Sequence, residues 1–336
     1  MPLSGPHGEE GTKLAELIKW GIEDHLHGLL STTTYDVATK DSTDQAIEKL
    51  KNSNTQIILG PLFSPTVKSL ESLVKERNMV VITLSNNALL ADDNSIFIFG
   101  HAPLKQTNRL LNYLFAHGYK DFAILTPASQ AGINLSRALT EIISSHNQSV
   151  VISEQYVNSP ESMDIAIHKI SDKADEIIED IDNEFKPVLI LSEENKDSLK
   201  SLFELLQKYN LDEKSVIVGD GRIDGDFTDV MHYLYTGSSI ENSSIFVKAK
   251  QELGIERMNY LENLAYDLGS FSAIAIGENY TKETFLNRLK SPVWYKGFSG
   301  DFRFASPVVE RKYSIIEKDH NVYKIIDRPA SSLKKE

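Results

Sequence analysis

Short apolar runs and stretches of helical periodicity alternate along the chain. Apolar residues three or four positions apart predict a helix over 12–29, and a second helix is predicted over 65–77. The runs Gln56–Leu59, Val80–Thr83 and Ser95–Phe99 are typical of strands. Because strands alternate with helices over short links, this part of the sequence predicts a parallel sheet covered by helices.

The alternation restarts after Gly100–His101, which predicts a second unit of the same type. Its elements are helices near 104–117, 130–146, 161–184 and 195–209, and strands at 122–125, 150–152, 188–191 and 216–218. A long helix over about 257–277 and a shorter one over 281–290 follow. The final β-type runs predict a closing hairpin around Lys318–Asn321. The predicted fold class is therefore α/β in two units.

Two local predictions concern the segment between the first helix and the first apolar strand. Thr32–Val37 is rich in β-branched and aromatic residues, which is typical of a strand. Ser42–Gln45 has the spacing of a capping box, in which a hydroxyl and a residue three positions later satisfy each other's backbone N–H groups. This box predicts that a helix opens at Ser42 and runs to about Asn52.

Composition limits the class of protein. The 336 residues include 35 Lys and Arg against 48 Asp and Glu, a net charge of −13, and the pI is near 5.2. This balance argues against a nucleic-acid-binding surface, because phosphate contacts need clustered basic residues. The chain contains no cysteine, which excludes disulfides, thiolate metal sites and a cysteine nucleophile in these residues.

Targeting features are also absent from the sequence. No apolar run approaches the ~18–20 residues that a membrane-spanning helix needs. The residues after Met1 have neither the basic start nor the apolar stretch of a secretory signal peptide. Taken alone, this start predicts a cytoplasmic protein without a membrane span.

The sequence lacks the motifs of common enzymes and cofactor sites. It has no G-x-x-x-x-G-K-[ST] phosphate loop, no G-x-G-x-x-G after a strand, no G-x-S-x-G elbow and no H-E-x-x-H pair. The acidic stretch 172–184 lacks the turning glycine of a calcium loop, and its isoleucines follow helical spacing. We therefore expect a solvated helix face there, and a protein that is not an enzyme and holds no cofactor or metal.

Polar turns follow several predicted strands. Leu3–Pro6, Phe63–Thr66, Leu84–Asn87 and Thr126–Gln130 offer hydroxyls, amides or the N–H groups of a helix start, which suit a carboxylate. Ligands of open parallel sheets bind beyond the carboxyl ends of the strands, so these turns predict a shared binding cleft. The same Ser, Thr and Asn residues also suit the N-caps of the following helices, and the sequence leaves both interpretations open.

Several segments resemble type I periplasmic binding proteins, the leucine/isoleucine/valine-binding class. These segments are Pro2–Pro6, Ile58–Ser64, Val81–Asn87 and Ala265–Asp267. A closer resemblance is to the penicillin-binding protein activator family, and in particular to its alphaproteobacterial members. The segments that carry it are Gly297–Phe304 followed by Glu310–Arg311, and Ile326–Ala330 near the end. Together the segments extend over almost the whole chain.

The resemblance implies two Rossmann-like lobes that are joined by a three-crossover hinge and close on a cleft. The implied boundaries are 1–100 and 237–311 for lobe 1, 101–236 and 312–330 for lobe 2, and 331–336 for a frayed tail. In this fold a first strand precedes the Leu3–Pro6 loop, and that strand is missing because only Met1 and Pro2 stand before it. We therefore expect the native product to begin upstream, with a signal sequence and this strand.

The resemblance also implies ligand residues in lobe 1. In transport receptors of this class, the positions matching Ser64 with Thr66, and Ser85 with Asn86 and Asn87, hold the carboxylate and ammonium groups of an amino acid. Each group lies in one of the polar turns described above. The resemblance therefore narrows the general cleft prediction to two turns that follow neighbouring strands.

Lobe 2 departs from the receptor pattern. Gln130–Gly132 stands where receptors place an aromatic residue before a glycine. Glu193 and Asp220 end two strands, where a carboxylate suits either a ligand ammonium group or the start of a helix. The complete set of candidate site residues is Ser4, Ser64, Thr66, Ser85, Asn86, Asn87, Thr126, Gln130, Glu193 and Asp220.

The resemblance implies a non-enzymatic, periplasmic module. The penicillin-binding protein activators dock on a peptidoglycan synthase and activate it, so the first hypothesis is regulation of such a synthase, or of another envelope protein, by protein contact. The alternative is a solute-binding receptor of an ABC importer for amino acids or a similar small ligand. The periplasm follows from the resemblance, and the cytoplasm remains the alternative from the missing signal peptide.

Overall fold

The structure, a computed structural model, describes residues 1–179, 185–193, 195–219, 232–237, 244–255, 258–277, 280–320 and 322–329. The chain separates into two compact units. The first unit comprises Met1–His101 and Ile240–Lys312, and the second comprises Ala102–Ser239 and Tyr313–Glu336. The chain therefore passes from one unit to the other three times.

Helices and strands alternate through most of the chain. The helices are α1 (Gly8–Leu26), α2 (Lys40–Lys51), α3 (Ser64–Glu76), α4 (Pro103–Ala116), α5 (Gln130–Ser145), α6 (Pro160–Ile178), α7 (Lys196–Lys208), α8 (Leu211–Lys214), α9 (Ser244–Leu253), α10 (Tyr260–Ile276) and α11 (Lys282–Leu289). The strands are β1 (Ile57–Leu59), β2 (Val80–Thr83), β3 (Ile96–Ile98), β4 (Asp121–Pro127), β5 (Ser149–Tyr156), β6 (Val188–Leu191), β7 (Val216–Gly219), β8 (His232–Gly237), β9 (Tyr295–Gly297), β10 (Gly300–Arg303), β11 (Glu310–Lys312), β12 (Ser314–Asp319) and β13 (Val322–Asp327). Within the described ranges, no helix is long and apolar enough to cross a membrane.

The first unit contains a parallel sheet of three strands in the order β1-β2-β3. Ile58 aligns with Val81, and Val81 aligns in turn with Ile96. The middle strand β2 is buried along its whole length, whereas β1 is only partly buried although its three residues are apolar. Pairing on one side is not the reason, because the other edge strand, β3, is fully buried; the three residues of β1 instead line a cavity.

Helices α1 and α10 pack against each other in the first unit, and glycines allow a close approach. A Cβ atom at Gly269 would lie 2.0 Å from the carbonyl oxygen of Ile18, and one at Gly21 would lie 2.4 Å from that of Tyr266. Both distances are shorter than van der Waals contact, so larger residues at these two positions would push the helices apart.

A buried carboxylate ties α10 to the turn between β9 and β10. Asp267 is 1% exposed and accepts hydrogen bonds from the N–H groups of Phe298 (2.8 Å) and Ser299 (2.7 Å), and from the Ser299 hydroxyl (2.6 Å). Burial raises the pKa of Asp267 to about 6, against the opposite effect of these hydrogen bonds. The carboxylate thereby anchors the small antiparallel sheet β11-β10-β9.

The second unit is built on a sheet of seven strands in the order β13-β12-β8-β7-β6-β4-β5. The strands from β8 to β5 are parallel, and the hairpin β12–β13 is antiparallel. Alternate residues of β6 enter two hydrophobic clusters on opposite faces of the sheet. Val188 and Ile190 pack with α4 and α5, and Leu189 and Leu191 pack with α6 and α7. All four residues are at most 1% exposed.

Two local predictions are wrong. The capping box of α2 is formed by Thr39 and Ser42, so Ser42 lies inside the helix, which begins at Lys40. Thr39 is the N-cap because it stands directly before Lys40, where the helix begins. Thr32–Val37 forms no strand, because no neighbouring strand of the described chain supplies a continuous ladder for it. Of the predicted acidic helix over 161–184, the part at 180–184 lies outside the described residues.

Candidate functional site

Two serines meet at the carboxyl edge of the sheet in the first unit. Ser64 opens α3 after β1, and Ser85 follows β2. Because β1 and β2 are parallel neighbours, their carboxyl ends lie at the same edge, and the hydroxyl oxygens of Ser64 and Ser85 are 2.9 Å apart. The structure therefore brings together two of the residues that the sequence predicted as ligand groups.

Backbone contacts fix the position of Ser85. Thr83 donates its hydroxyl to the carbonyl of Pro61, and its Oγ1 accepts the N–H of Ser85 at 3.0 Å. Ser85 is 2% exposed. Gly100 approaches from the next loop so closely that a Cβ atom there would lie 2.2 Å from the Ser85 carbonyl oxygen. The Ser85 hydroxyl is thus held at a rigid position beneath the edge.

The start of α3 is the second feature of this edge. Phe63 occupies the N-cap position, so no side chain caps the helix, and Pro65 stands in the first turn. Pro65 has no N–H. The N–H groups of Thr66 and Val67 donate to the Phe63 carbonyl. What this helix start offers an anion is therefore mainly the partial positive charge of the helix dipole. Thr66 lies in the same turn and is buried. Ser64 therefore places a hydroxyl at a helix start, where the dipole favours a negative charge.

Other predicted residues of the first unit make local contacts. Ser4 donates its hydroxyl to Asp36 at 2.7 Å, and this bond, with backbone N–H groups, lowers the pKa of Asp36. Asn87 accepts the N–H of Leu89 at 3.1 Å and so caps the short turn Ala88–Leu90. Asn86 is exposed. The capping interpretation therefore describes Asn87, whereas Ser4 makes no capping hydrogen bond and contacts Asp36 instead.

In the second unit, predicted residues stand at the carboxyl ends of β4 and β6, which are neighbours. Thr126 on β4 is fully buried, and its hydroxyl has no hydrogen-bond partner within the described part of the chain. Glu193 follows β6, accepts the phenol hydroxyl of Tyr156 and accepts the N–H of Asn195 at 2.8 Å. These contacts make Glu193 a buried, hydrogen-bonded carboxylate.

Gln130 does not join a site in the second unit. Gln130 is exposed and donates to Asn134, one turn further along α5, at 3.0 Å. Ser129, and not Gln130, caps the helix by accepting the N–H of Gly132. Asp220 lies outside the described residues. The positions of Gln130 and Ser129 follow from ordinary capping.

The sequence predictions missed two residues that orient the candidate groups. Thr83 positions Ser85, and Tyr156 donates to Glu193. Thr83 could have been found from the sequence, because a polar residue at the end of the apolar strand Val80–Thr83 stands next to the predicted ligand turn. Tyr156 gave none, because the predicted strand ended at Ile152 and the contact joins residues 37 positions apart.

The hydroxyl groups of Ser64 and Ser85 offer hydrogen-bond donors and acceptors at this edge. The hydroxyls of Ser64 and Ser85 are hydrogen-bonded to each other, and the Ser85 hydroxyl also accepts the N–H of Asn87. Within the described structure, neither hydroxyl has a His or a carboxylate as a hydrogen-bond partner, whereas a nucleophilic serine needs an adjacent base. The described residues also contain no group of three or more His, Asp or Glu that could hold a metal ion. The arrangement offers hydrogen-bond donors to an anion.

A family model, a relative in sequence and several solved structures are similar to this chain. A family model described as "Periplasmic binding protein" matches residues 2–177. An uncharacterized protein of Rickettsia prowazekii is 37% identical over 324 residues, which are 96% of this chain and 86% of that protein. Two solved structures are similar at low identity.

The first solved structure is a putative branched-chain amino acid ABC transporter from Rhodospirillum rubrum, with a TM-score of 0.76 at 14% identity and 97% coverage of both chains. The second is LpoA from Haemophilus influenzae, with a TM-score of 0.65 at 16% identity. The match with LpoA covers 97% of this chain and 57% of LpoA, so this chain spans little more than half the length of that protein.

Proposed function

We propose, from the premise that the chain belongs to the periplasmic binding protein family, that it binds a small molecule with a carboxylate group at the Ser64–Ser85 edge of the first unit. The predicted type I fold is confirmed. The proposed activity is binding without catalysis, and the proposed location is the periplasm. This is the receptor alternative of the two functions that the sequence suggested.

The pairing of Ser64 with Ser85 at the uncapped start of α3 carries the proposal. A carboxylate accepts several hydrogen bonds, and hydroxyl donors at the positive end of a helix dipole suit it without a full positive charge. The bonds would be charge-assisted, which makes them about twice as strong as neutral ones. The similar Rhodospirillum rubrum protein is described as a branched-chain amino acid transporter, and amino acids carry such a carboxylate. An amino acid is therefore the first ligand class to test.

Thermal denaturation against a panel of amino acids and aromatic carboxylic acids tests this proposal. A ligand at one hundred times its Kd should stabilise the protein by ~2.7 kcal/mol. The Ser64→Ala variant removes one donor to a charged group, which is worth ~1.5–3 kcal/mol, and should weaken binding roughly tenfold or more. Ser69→Ala is the matched control, because Ser69 lies on the same helix and its exposed hydroxyl bonds only to the Pro65 carbonyl.

Two outcomes would contradict the proposal. One is that no carboxylate in the panel raises the denaturation midpoint. The other is that Ser64→Ala binds a ligand as tightly as Ser69→Ala does, which would place the site elsewhere.

A second candidate function, regulation of an envelope protein by contact, is favoured by two exposed apolar side chains. Leu89 is 94% exposed and Phe63 is 37% exposed, and they stand in the loops that carry Asn87 and Ser64. Exposed apolar side chains beside polar groups suit protein contact. LpoA, which has a similar fold, is a penicillin-binding protein activator. The partner proposed for this chain is therefore a peptidoglycan synthase.

Cross-linking tests the second candidate. A photoreactive side chain at Leu89 should cross-link to a peptidoglycan synthase identified by mass spectrometry, whereas the same group at Val293, which is 71% exposed in the same unit, should not. Equal labelling from both positions, or none from Leu89, would count against this function. Because the first experiment uses only small ligands, the two results are independent.

A further inference from the structure

A buried hydroxyl group follows the hydrophobic cluster between α4 and the seven-stranded sheet of the second unit. Leu234 of β8 belongs to that cluster. Every second side chain of a strand points to the same face of the sheet, so Thr236, the next but one residue of β8, lies on this face as well. Thr236 is fully buried. The apolar packing along β8 therefore ends at a polar side chain.

The helix α4, which packs against β8, carries a second buried polar residue. Gln106 stands one helical turn before Leu110, so both side chains lie on the same face of α4. Leu110 belongs to the same hydrophobic cluster as Leu234, which shows that this face is turned to the sheet. Gln106 is fully buried. The apolar packing along α4 therefore also ends at a polar side chain.

The two polar side chains lie at the same end of the sheet. The helix α4 leads through a short link into β4, and β4 runs in the same direction as β8. A helix that is joined to a parallel strand in this way runs against it, so the start of α4 lies over the carboxyl ends of the strands. Gln106 is near the start of α4, and Thr236 is near the end of β8. Gln106 and Thr236 therefore share one buried layer between helix and sheet.

Neither side chain has a hydrogen-bond partner within the part of the chain that the structure describes. This holds for the amide nitrogen and the amide oxygen of Gln106 and for the hydroxyl of Thr236. Buried polar groups of folded proteins nearly always have a partner, either in the protein or in ordered water, because an unpaired group has lost its hydrogen bonds to solvent. One bound molecule between the two side chains would satisfy all three atoms.

The chemistry of these three atoms suits water. A buried water molecule makes about three hydrogen bonds to polar groups of the protein, as donor and as acceptor. Gln106 offers one donor and one acceptor group, and the hydroxyl of Thr236 can act as either. A cation would leave the amide nitrogen of Gln106 unpaired, and an anion would leave its oxygen unpaired. Water satisfies both atoms in either orientation of the amide.

We propose that Gln106 and Thr236 hold a buried water molecule that ties the start of α4 to β8. The chain enters the second unit at Ala102, shortly before Gln106, and leaves it after Ser239, shortly beyond Thr236. Ile315, which pairs with Thr236 in the adjacent strand β12, follows the last entry of the chain into this unit. The water therefore links the segments through which the chain enters and leaves the second unit.

Rotating-frame Overhauser spectroscopy of the full chain, with isotope-labelled glutamine, tests for the water directly. The side-chain amide protons of Gln106, assigned by their loss in Gln106→Met, should show a cross-peak at the water frequency with the sign of a held molecule and not of proton exchange. Gln130 is the control in the same unit, because its side chain is exposed, and its amide should show no such cross-peak. If the cross-peak at Gln106 is missing, the proposal is wrong.

Apolar variants of nearly equal size give a second test, in which the sign of the change decides. If the water is held, Thr236→Val and Gln106→Met each remove a hydrogen bond, and each should raise the unfolding equilibrium constant of the second unit about three- to tenfold. The double variant should raise it by less than the product of the two single effects, because both side chains share one water.

Thr140→Val is the matched control in the same unit, because Thr140 is only partly buried and its hydroxyl bonds to the Ser136 carbonyl of its own helix. It should change the unfolding equilibrium constant by less than about twofold. If Thr236→Val and Gln106→Met are both more stable than the wild type, their polar atoms have no partner and the proposal is wrong. The Overhauser measurement uses the unmodified chain and decides the proposal even if a variant fails to fold.

Discussion

The sheet of the first unit and the parallel part of the seven-stranded sheet contain strands of similar apolar sequence but different burial. Val188–Leu191 in the second unit is at most 1% exposed, whereas Ile57–Leu59 in the first unit is only partly buried. The strand β6 has β4 and β7 on its two sides, and β1 has a single described neighbour. Apolar residues alone therefore do not bury a strand: packed clusters cover both faces of β6, whereas β1 lines a cavity.

The largest expected effect comes from removing the same side chain in the two sheets. Ile190→Ala in the second unit should cost about 3 kcal/mol, within the range for buried aliphatic residues. Ile58→Ala in the first unit should cost roughly 1 kcal/mol, because its side chain is already partly exposed. Urea denaturation, followed by exchange of amides in each unit, measures both values. Equal costs would show that β1 is as well packed as β6.

The pH dependence of the first unit is the next effect in size. Burial raises the pKa of Asp267 to about 6, so the folded state holds this proton at a pH where the unfolded state has released it. The stability that the protonated group contributes is fully present below about pH 4, the ordinary range of an Asp, and is lost as pH rises through 6.

Comparison with Asp267→Asn isolates this contribution. From pH 4 to pH 7, wild type should lose about 2 kcal/mol relative to the variant, since each pKa unit corresponds to ~1.4 kcal/mol. The amide exchange rate of the wild type, divided by that of the variant at the same pH, should change with pH at Val81 in β2 and stay constant at Leu189 in β6. A constant ratio in both units would contradict the raised pKa of Asp267.

A smaller effect is expected at the carboxyl edge of the second unit. Tyr156→Phe removes the hydroxyl that donates to the buried Glu193 carboxylate and should destabilise that unit by about 1–2 kcal/mol. Tyr113→Phe serves as a control on the same unit, since the Tyr113 ring is only partly buried in its cluster. A change of less than a few tenths of a kcal/mol in Tyr156→Phe would show that Glu193 needs no donor from Tyr156.

The sequence predicted the elements with strong periodicity. Val80–Thr83 and Val188–Leu191 match the structure, because short apolar runs between turn residues suit strands that are covered on both faces. The box at Ser42 was misplaced because Thr39 is an equally good cap three residues earlier. Thr32–Val37 has strand propensity but lacks a continuous partner, and propensity cannot supply one.

The candidate site was predicted in part. Ser64 and Ser85 stand at the ends of predicted parallel neighbours, so the topology alone placed them together. The contact of Tyr156 with Glu193 could not be predicted, because it depends on how far β5 extends and on the packing of residues distant in sequence. Tertiary contacts of this type are set by the assembled sheet and not by local pattern.

Amide hydrogen exchange along β1 tests the central claim most directly, namely that no strand of the described chain covers the edge of β1 that faces away from β2. The backbone N–H of Ile58 points toward β2, whereas those of Ile57 and Leu59 point away from it, so the strand contains its own control. We predict that Ile57 and Leu59 exchange at least tenfold faster than Ile58, while Leu189 and Ile190 in β6 are both slow. Similar protection at all three positions of β1 would contradict the account.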